Sequence, residues 1–253
     1  MSEQKFTVPT EVIDLPSKGL IYPKENPLSE GKIEMKYMTA REEDILTNVN
    51  LLRQGIAIEK MLKSLIKSDI NYDDLTIGDR NGLLIAARIL AYGKDYSFKY
   101  TNPETNEDET ITCDLQNLKY KEIDFSLLDY KNEFEFELPH SKNKVTFKIL
   151  SVSDDKKIDE EIKGLKKALG QEVGILSTRL KYQITSVNGD YSIKTIREFI
   201  DKGYLLSMDS LKLRKYMESV TPDINTNITI TLKDGQEVSI GLPMTAEFFF
   251  PGI

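Results

Sequence analysis

Two periodicities alternate along this chain. Apolar residues recur at every second position in three paired runs: Tyr96, Phe98 and Tyr100 with Ile111, Cys113 and Leu115; Phe134, Phe136 and Leu138 with Val145, Phe147 and Ile149; and Ile228, Ile230 and Leu232 with Val238, Ile240 and Leu242. Each pair is joined by turn-forming residues, so the pattern predicts three antiparallel hairpins. The last has an Asp-Gly turn, the strongest short-range hairpin signal. In the second, Glu135 and Glu137 share a face with Thr146 and Lys148, as a solvated side of a one-sided sheet would.

Helical spacing fills the intervals. Met61, Leu62, Leu65 and Ile66 form one stripe, and Leu83, Leu84, Ala87 and Leu90 a second. Ile158, Ile162, Leu165 and Leu169 follow, then Val173, Leu176 and Leu180, then Ile193, Ile196 and Ile200. Thr39 with Glu42 three residues on reads as a capping box, Thr76 as a second cap and Gly93 as a stop. "VNGD" at 187–190 marks a turn, and the last long helix, from about Asp209, should end before Pro222.

The first 38 residues carry Pro9, Pro16, Pro23 and Pro27, which exclude a continuous helix. This segment reads as an extended arm. "PSKG" at 16–19 has turn chemistry between the apolar pieces 12–15 and 20–22, so a short hairpin or an added edge strand is expected there. The expected organisation is an arm at 1–38, a helical cluster at 39–93, hairpins at 94–150, a helical region at 151–220, and a C-terminal hairpin with an aromatic tail at 221–253. Without regular strand-helix alternation, the class is α+β, helical clusters combined with antiparallel β-hairpins.

Composition narrows the function. The 253 residues are 40% hydrophobic and 30% charged, which describes a folded chain large enough for a real core. Lys and Arg number 34 against 41 Asp and Glu, and a net charge of -7 argues against nucleic acid or anionic lipid as partners. Neither a signal peptide nor an 18-residue apolar run is apparent, so a cytoplasmic protein outside the membrane is expected. The single cysteine, Cys113, excludes an internal disulfide and multi-cysteine zinc patterns.

Candidate chemistry is thin. His140, the only histidine, sits at the tip of a hairpin, where a solvated loop residue is expected. "DINYDDLTIGDR" at 69–80 begins like a calcium loop, but Asp74 stands where Gly makes the sharp turn and Arg80 where a bidentate Glu belongs. Neither a P-loop nor a G-x-G-x-x-G is present. No metal, cofactor or small-molecule substrate is expected, and the chain does not read as an enzyme. The competing reading from another class is a metal-independent enzyme using carboxylates or Lys in a pocket between the helical cluster and the hairpins. The basic runs "IKGLKKAL" and "LKLRKY" lie on helices with apolar stripes, and read as solvated faces or as docking surfaces for an acidic partner.

The chain closes on "TAEFFFPGI". Exposed, three adjacent phenylalanines would be an aggregation liability, so either the core or a partner should cover them. The stretches "LPSKGLIYP", "MTAREEDILTN", "LLIAARILAYGKDY" and "FFFPGI" together resemble the baseplate hub subunit and hub-assembly family of T4-like contractile-tailed phages, from about Val12 to the end. The resemblance implies a virion structural or assembly protein that acts through protein-protein contacts in the host cytoplasm and the tail baseplate. The partners implied are other hub or tail proteins, the tape-measure protein among them. It is open between a lasting subunit and a transient assembly chaperone. Some relatives resemble a small zinc ribbon in the first hairpin; "TNPETNEDET" replaces that here, and no zinc is implied. The expected contact residues are Leu20, Ile21 and Tyr22 in the arm and Phe248, Phe249 and Phe250 at the end.

Overall fold

The protein is described by a computed structural model covering residues 7–103, 105–169, 174–233, 235–244 and 246–249. The first strand, β1 (Thr10–Asp14), pairs antiparallel with β2 (Lys32–Lys36), from Thr10 opposite Lys36 to Asp14 opposite Lys32. The described part of the predicted arm is therefore a closed ribbon, and the short hairpin expected around "PSKG" is replaced by a pairing across a longer loop. That loop turns on left-handed residues, Lys18 (φ 54°), Gly19 (φ 77°) and Gly31 (φ 70°). Gly19 is required twice over, because a Cβ there would lie 2.4 Å from the Ser29 carbonyl oxygen. Prolines shape the loop, while Leu15, Ile21, Tyr22, Leu28, Ile33 and Met35 anchor the ribbon in the core.

Four helices follow: α1 (Ala40–Leu46), α2 (Val49–Gln54), α3 (Ala57–Leu65) and α4 (Ile77–Tyr92). The capping box forms as read: Thr39 donates its N–H (3.0 Å) and hydroxyl (2.7 Å) to Glu42. Thr76 caps α4 by accepting from the Asp79 N–H, and the helix stops at Gly93.

Next, β3 (Asp95–Thr101) and β4 (Asp108–Asp114) form the first predicted hairpin, with Tyr96 opposite Cys113 and Phe98 opposite Ile111. Leu115 falls just beyond it, in a 3-10 turn. The second hairpin, β5 (Phe134–Glu137) with β6 (Lys144–Phe147), pairs Phe134 with Phe147 and Phe136 with Val145. It gains a third strand that the hydrophobic pattern did not mark.

That strand is β7 (Ile184–Val187), reached through α5 (Val152–Leu169) and α6 (Ile175–Gln183). After it come α7 (Ile193–Asp201), α8 (Ser207–Val220), the hairpin of β8 (Asn227–Thr231) and β9 (Glu237–Gly241), and the short α9 (Ala246–Phe249). Helices and small antiparallel sheets make this an α+β fold. A single buried cluster runs from Leu15 to Phe249 and draws on all five stretches of the chain. The changes of element type near residues 38, 93, 150 and 220 thus fall within one shared core.

Candidate functional site

Asp79 is a buried polar node between the ribbon and α4. It lies in the first turn of α4 and is fully buried. Ser17 donates its N–H to Oδ1 (2.8 Å) and its hydroxyl to Oδ2 (2.7 Å), and the Tyr22 hydroxyl donates to the same Oδ2. The Tyr22 oxygen in turn accepts the Thr76 N–H at 2.9 Å. Burial pushes the Asp79 carboxyl up, and the bonds from Tyr22, Ser17 and Thr76 offset only part of that push. The node fastens the N-terminal ribbon to α4. Beside it, a Cβ on Gly82 would lie 2.8 Å from the Pro16 ring, so the proline ring of the ribbon packs directly on helix backbone.

The aromatic end docks on the opposite side of that helix. Phe248 meets Tyr96 edge-on with ring centroids 4.8 Å apart, and Phe249 meets Phe248 edge-on at 4.9 Å. The Arg88 guanidinium lies 5.9 Å from the Phe248 ring and 5.7 Å from Tyr96, while its NH1 donates to the Gly93 carbonyl at 3.2 Å. Tyr96 also donates its hydroxyl to the Pro243 carbonyl at 3.0 Å.

Of the expected contact residues, Ile21, Tyr22, Phe248 and Phe249 are buried in the chain's own core, and Leu20 is half-buried against it. The core therefore supplies the cover for these two phenylalanines, through a short helix rather than an extended tail. Ile21, Tyr22, Phe248 and Phe249 are each at most 4% exposed in this structure. Leu20 also accepts the Tyr130 N–H at 2.7 Å. Phe250 lies outside the described residues.

A cleft of about 620 Å³ opens between α3, α4 and α5, with Met244 and Phe249 along its wall. Several of its charges are paired. Lys156 reaches Glu59 and Asp73 at 2.7 Å each, Lys63 reaches Glu59 at 2.7 Å, and Asp155 takes Arg179 at 3.0 Å. Burial alone would raise the Glu59 carboxyl, yet Lys156 and Lys63 outweigh it and hold it low; Lys156 first of all holds Asp73 low as well. Burial would lower Lys156, and its two carboxylates raise it instead. Asp74, the other acid of the failed calcium loop, is bonded by Asn71 at 3.0 Å.

His140 is an exposed loop residue whose backbone is used instead of its ring. Asp209, buried in the first turn of α8, accepts the His140 N–H at 2.8 Å and the Ser141 N–H at 3.0 Å. Burial would raise this carboxyl, and the two N–H bonds hold it low. Cys113 is half-buried, and burial pushes its thiol up, away from thiolate chemistry.

The sequence model of the T4 bacteriophage base plate protein family matches residues 10–250. This chain belongs to that family. The match takes in the ribbon, the Asp79 node and the docked phenylalanines. No curated protein and no solved structure gives a significant match. As a T4-like baseplate protein, the chain works in contact with other proteins of the phage tail. No described helix is long and apolar enough to cross a membrane.

Among the described residues, one run of exposed apolar side chains lies elsewhere. At the corner between α7 and α8, Tyr204 is 59% exposed, Leu206 and Met208 are 47% exposed, and Leu211 is 37% exposed. The corner is fixed from within: Gly203 (φ 76°) turns the chain, and the Tyr204 and Leu205 N–H groups both donate to the Phe199 carbonyl, at 3.1 and 3.2 Å. The next turns of α8 expose Lys212, Arg214 and Lys215 while burying Leu213 and Met217. A sequence signal was present for two of them: Met208 and Leu211 do not share a helical stripe with Leu213 and Met217.

Proposed function

We propose that this chain is a non-enzymatic structural subunit of the baseplate hub, acting through protein-protein contacts. The observation that carries this reading is the exposed ridge of Tyr204, Leu206, Met208 and Leu211, flanked by the cations of α8. An exposed apolar patch with a charged rim is the anatomy of a protein interface. The cationic rim favours a partner whose facing surface is acidic around an apolar centre. Other hub proteins and the tape-measure protein are the candidate partners, met in the host cytoplasm during assembly and kept in the finished tail.

The non-enzymatic part of this reading draws on the ion pairs of the interhelical cleft. Lys156 holds the Glu59 and Asp73 carboxyls low and they hold its amine high, the opposite direction from a carboxyl or amine tuned toward neutral pH. Such ion pairs serve to join α3 to α5.

The reading is tested with the double variant Leu206→Glu, Met208→Glu, supplied in cells infected by a phage lacking this gene. Both positions are surface sites, so melting should stay within a few degrees of the parent while complete baseplates fail to form. Unimpaired assembly by a folded double variant would remove this ridge from the interface.

A further inference from the structure

Two sheet edges face each other across an empty groove. The hairpins β3–β4 and β8–β9 belong to separate two-stranded sheets, yet a groove of about 630 Å³ runs between β4 and β8, lined by Thr110, Thr112, Asp114, Asn227, Thr229 and Thr231 among others. The ladder geometry fixes which backbone groups look into it. Leu115 donates to Lys94, and Asn102 donates to Glu107, at 2.8 and 2.9 Å, so the odd-numbered residues of β4 bond to β3. The N–H and C=O groups of Thr110 and Thr112 therefore point away from β3. In the other hairpin, Leu242 donates to Thr226 and Leu232 to Gln236, at 2.8 and 2.9 Å, so the even-numbered residues of β8 bond to β9. Asn227, Thr229 and Thr231 point their backbone groups outward, toward β4.

Both ends of the groove confirm that direction. At one end Asn225 donates to the Lys119 carbonyl (2.7 Å) and Lys121 to the Asp223 carbonyl (2.8 Å), around an antiparallel bridge of Tyr120 with Ile224. At the other, the Lys233 N–H donates to the Glu109 carboxylate at 3.1 Å. The hairpins are tied above and below, and between the ties no described strand pairs with either edge.

We infer that this groove is a strand-insertion slot, filled by an extended segment of a neighbouring baseplate protein. The inference deepens the baseplate reading and rests on it. Unpaired edges are ordinarily blunted with charge, Pro or a bulge. Over their central residues, 110–113 and 227–231, these edges carry no charged residue and no Pro; the acids of β4, Asp108, Glu109 and Asp114, stand at its two ends. An inserted strand of about five residues, roughly 17 Å long, would bond to both sides and complete a five-stranded sheet. It would lie antiparallel to one edge and parallel to the other, since β4 and β8 run in opposite directions. Ile111, Cys113, Ile228 and Ile230 form one face of the groove and Thr110, Thr112, Thr229 and Thr231 the other. The occupant is therefore a segment of alternating apolar and uncharged polar residues.

Single prolines test this in the full chain. Thr110→Pro and Thr229→Pro each delete an N–H aimed into the groove and leave the bonds within both hairpins intact. Thr110→Val and Thr229→Val change the same side chains and keep the N–H. Each variant is supplied in cells infected by a phage lacking this gene, and assembled baseplates are counted by electron microscopy. The valine variants should assemble as the parent does, and each proline should lower assembly about tenfold or more, the effect of one unmade hydrogen bond. Equal assembly by folded proline and valine variants would overturn the slot and leave the baseplate role standing. Normal baseplates in cells given no chain at all would overturn the role itself. If a proline variant melts early, amide exchange of the unaltered chain decides: the Thr110, Thr229 and Thr231 amides should slow when it joins the assembly, and unchanged exchange there contradicts insertion.

Discussion

Ser17 gives both its backbone N–H and its hydroxyl to Asp79, 62 residues further along the chain, at 2.8 and 2.7 Å. With Tyr22 on the same carboxylate, a proline-rich loop that has little regular structure of its own gains a fixed seat on α4. The consequence is a ribbon whose position depends on one buried acid.

Replacing that acid should therefore be costly. Asp79→Ala leaves the Ser17 N–H and the Ser17 and Tyr22 hydroxyls without their acceptor, and one buried donor left unmade costs about 1–3 kcal/mol. Urea denaturation should show a loss of about 3 kcal/mol or more, with trypsin cutting the 15–31 loop in the variant and sparing it in the parent. A loss below about 1 kcal/mol would mean the node does not hold the ribbon.

Two glycines of α4 should resist the usual helix rule. Alanine in a helix interior is normally about 1 kcal/mol better than glycine. On Gly78 a Cβ would lie 2.0 Å from the Pro222 carbonyl oxygen, which is backbone and has no rotamer to yield. Gly78→Ala should lower the melting temperature, and a rise would show that helix and loop separate freely.

The docked phenylalanines should behave as core. Phe248→Ala removes a fully buried ring from contact with Tyr96 and Arg88. The expected destabilisation is about 3–5 kcal/mol in urea. A variant that melts like the parent but loses a partner would return this residue to an interface.

Acid should loosen the first helices through Glu42. Burial opposes its ionisation, but Lys36 and Thr39 outweigh burial and pull the carboxyl from its ordinary 4.5 to about 2. The unfolded chain then takes up the proton first as pH falls, so this contribution is complete above 4.5 and is lost toward about 2. Glu42→Gln lacks it. The stability gap between parent and variant, measured by urea at neutral pH and near about pH 3, should shrink at the lower pH.

What the sequence revealed follows from the range of each signal. The hairpins rest on alternation and turn residues close in the chain, so the strands that pair and the apolar residues that share a face were legible, while the exact partners, such as Phe134 with Phe147 and Ile228 with Ile240, came from the structure. The caps at Thr39 and Thr76 were legible for the same reason. The strand β7 was hidden because "ITSV" is four residues between a helix and a turn, too short to show a period. The ribbon was misread as an arm because its pairing spans a 17-residue loop, closed by Gly19, Gly31 and a carboxylate 62 residues from Ser17. A partial signal existed: Gly82 in the interior of α4 leaves room for a close neighbour, which is the Pro16 ring of the ribbon. The exposed ridge at Tyr204 to Leu211 was not singled out, since composition does not distinguish an apolar residue facing the core from one facing a neighbour.

The most direct measurement is quantitative mass spectrometry of purified mature particles beside the infected-cell lysate. A hub subunit should persist in the particle at a small integer ratio to other baseplate proteins. Abundance in the lysate with absence from particles would contradict a lasting place in the hub and make the chain a transient assembly factor.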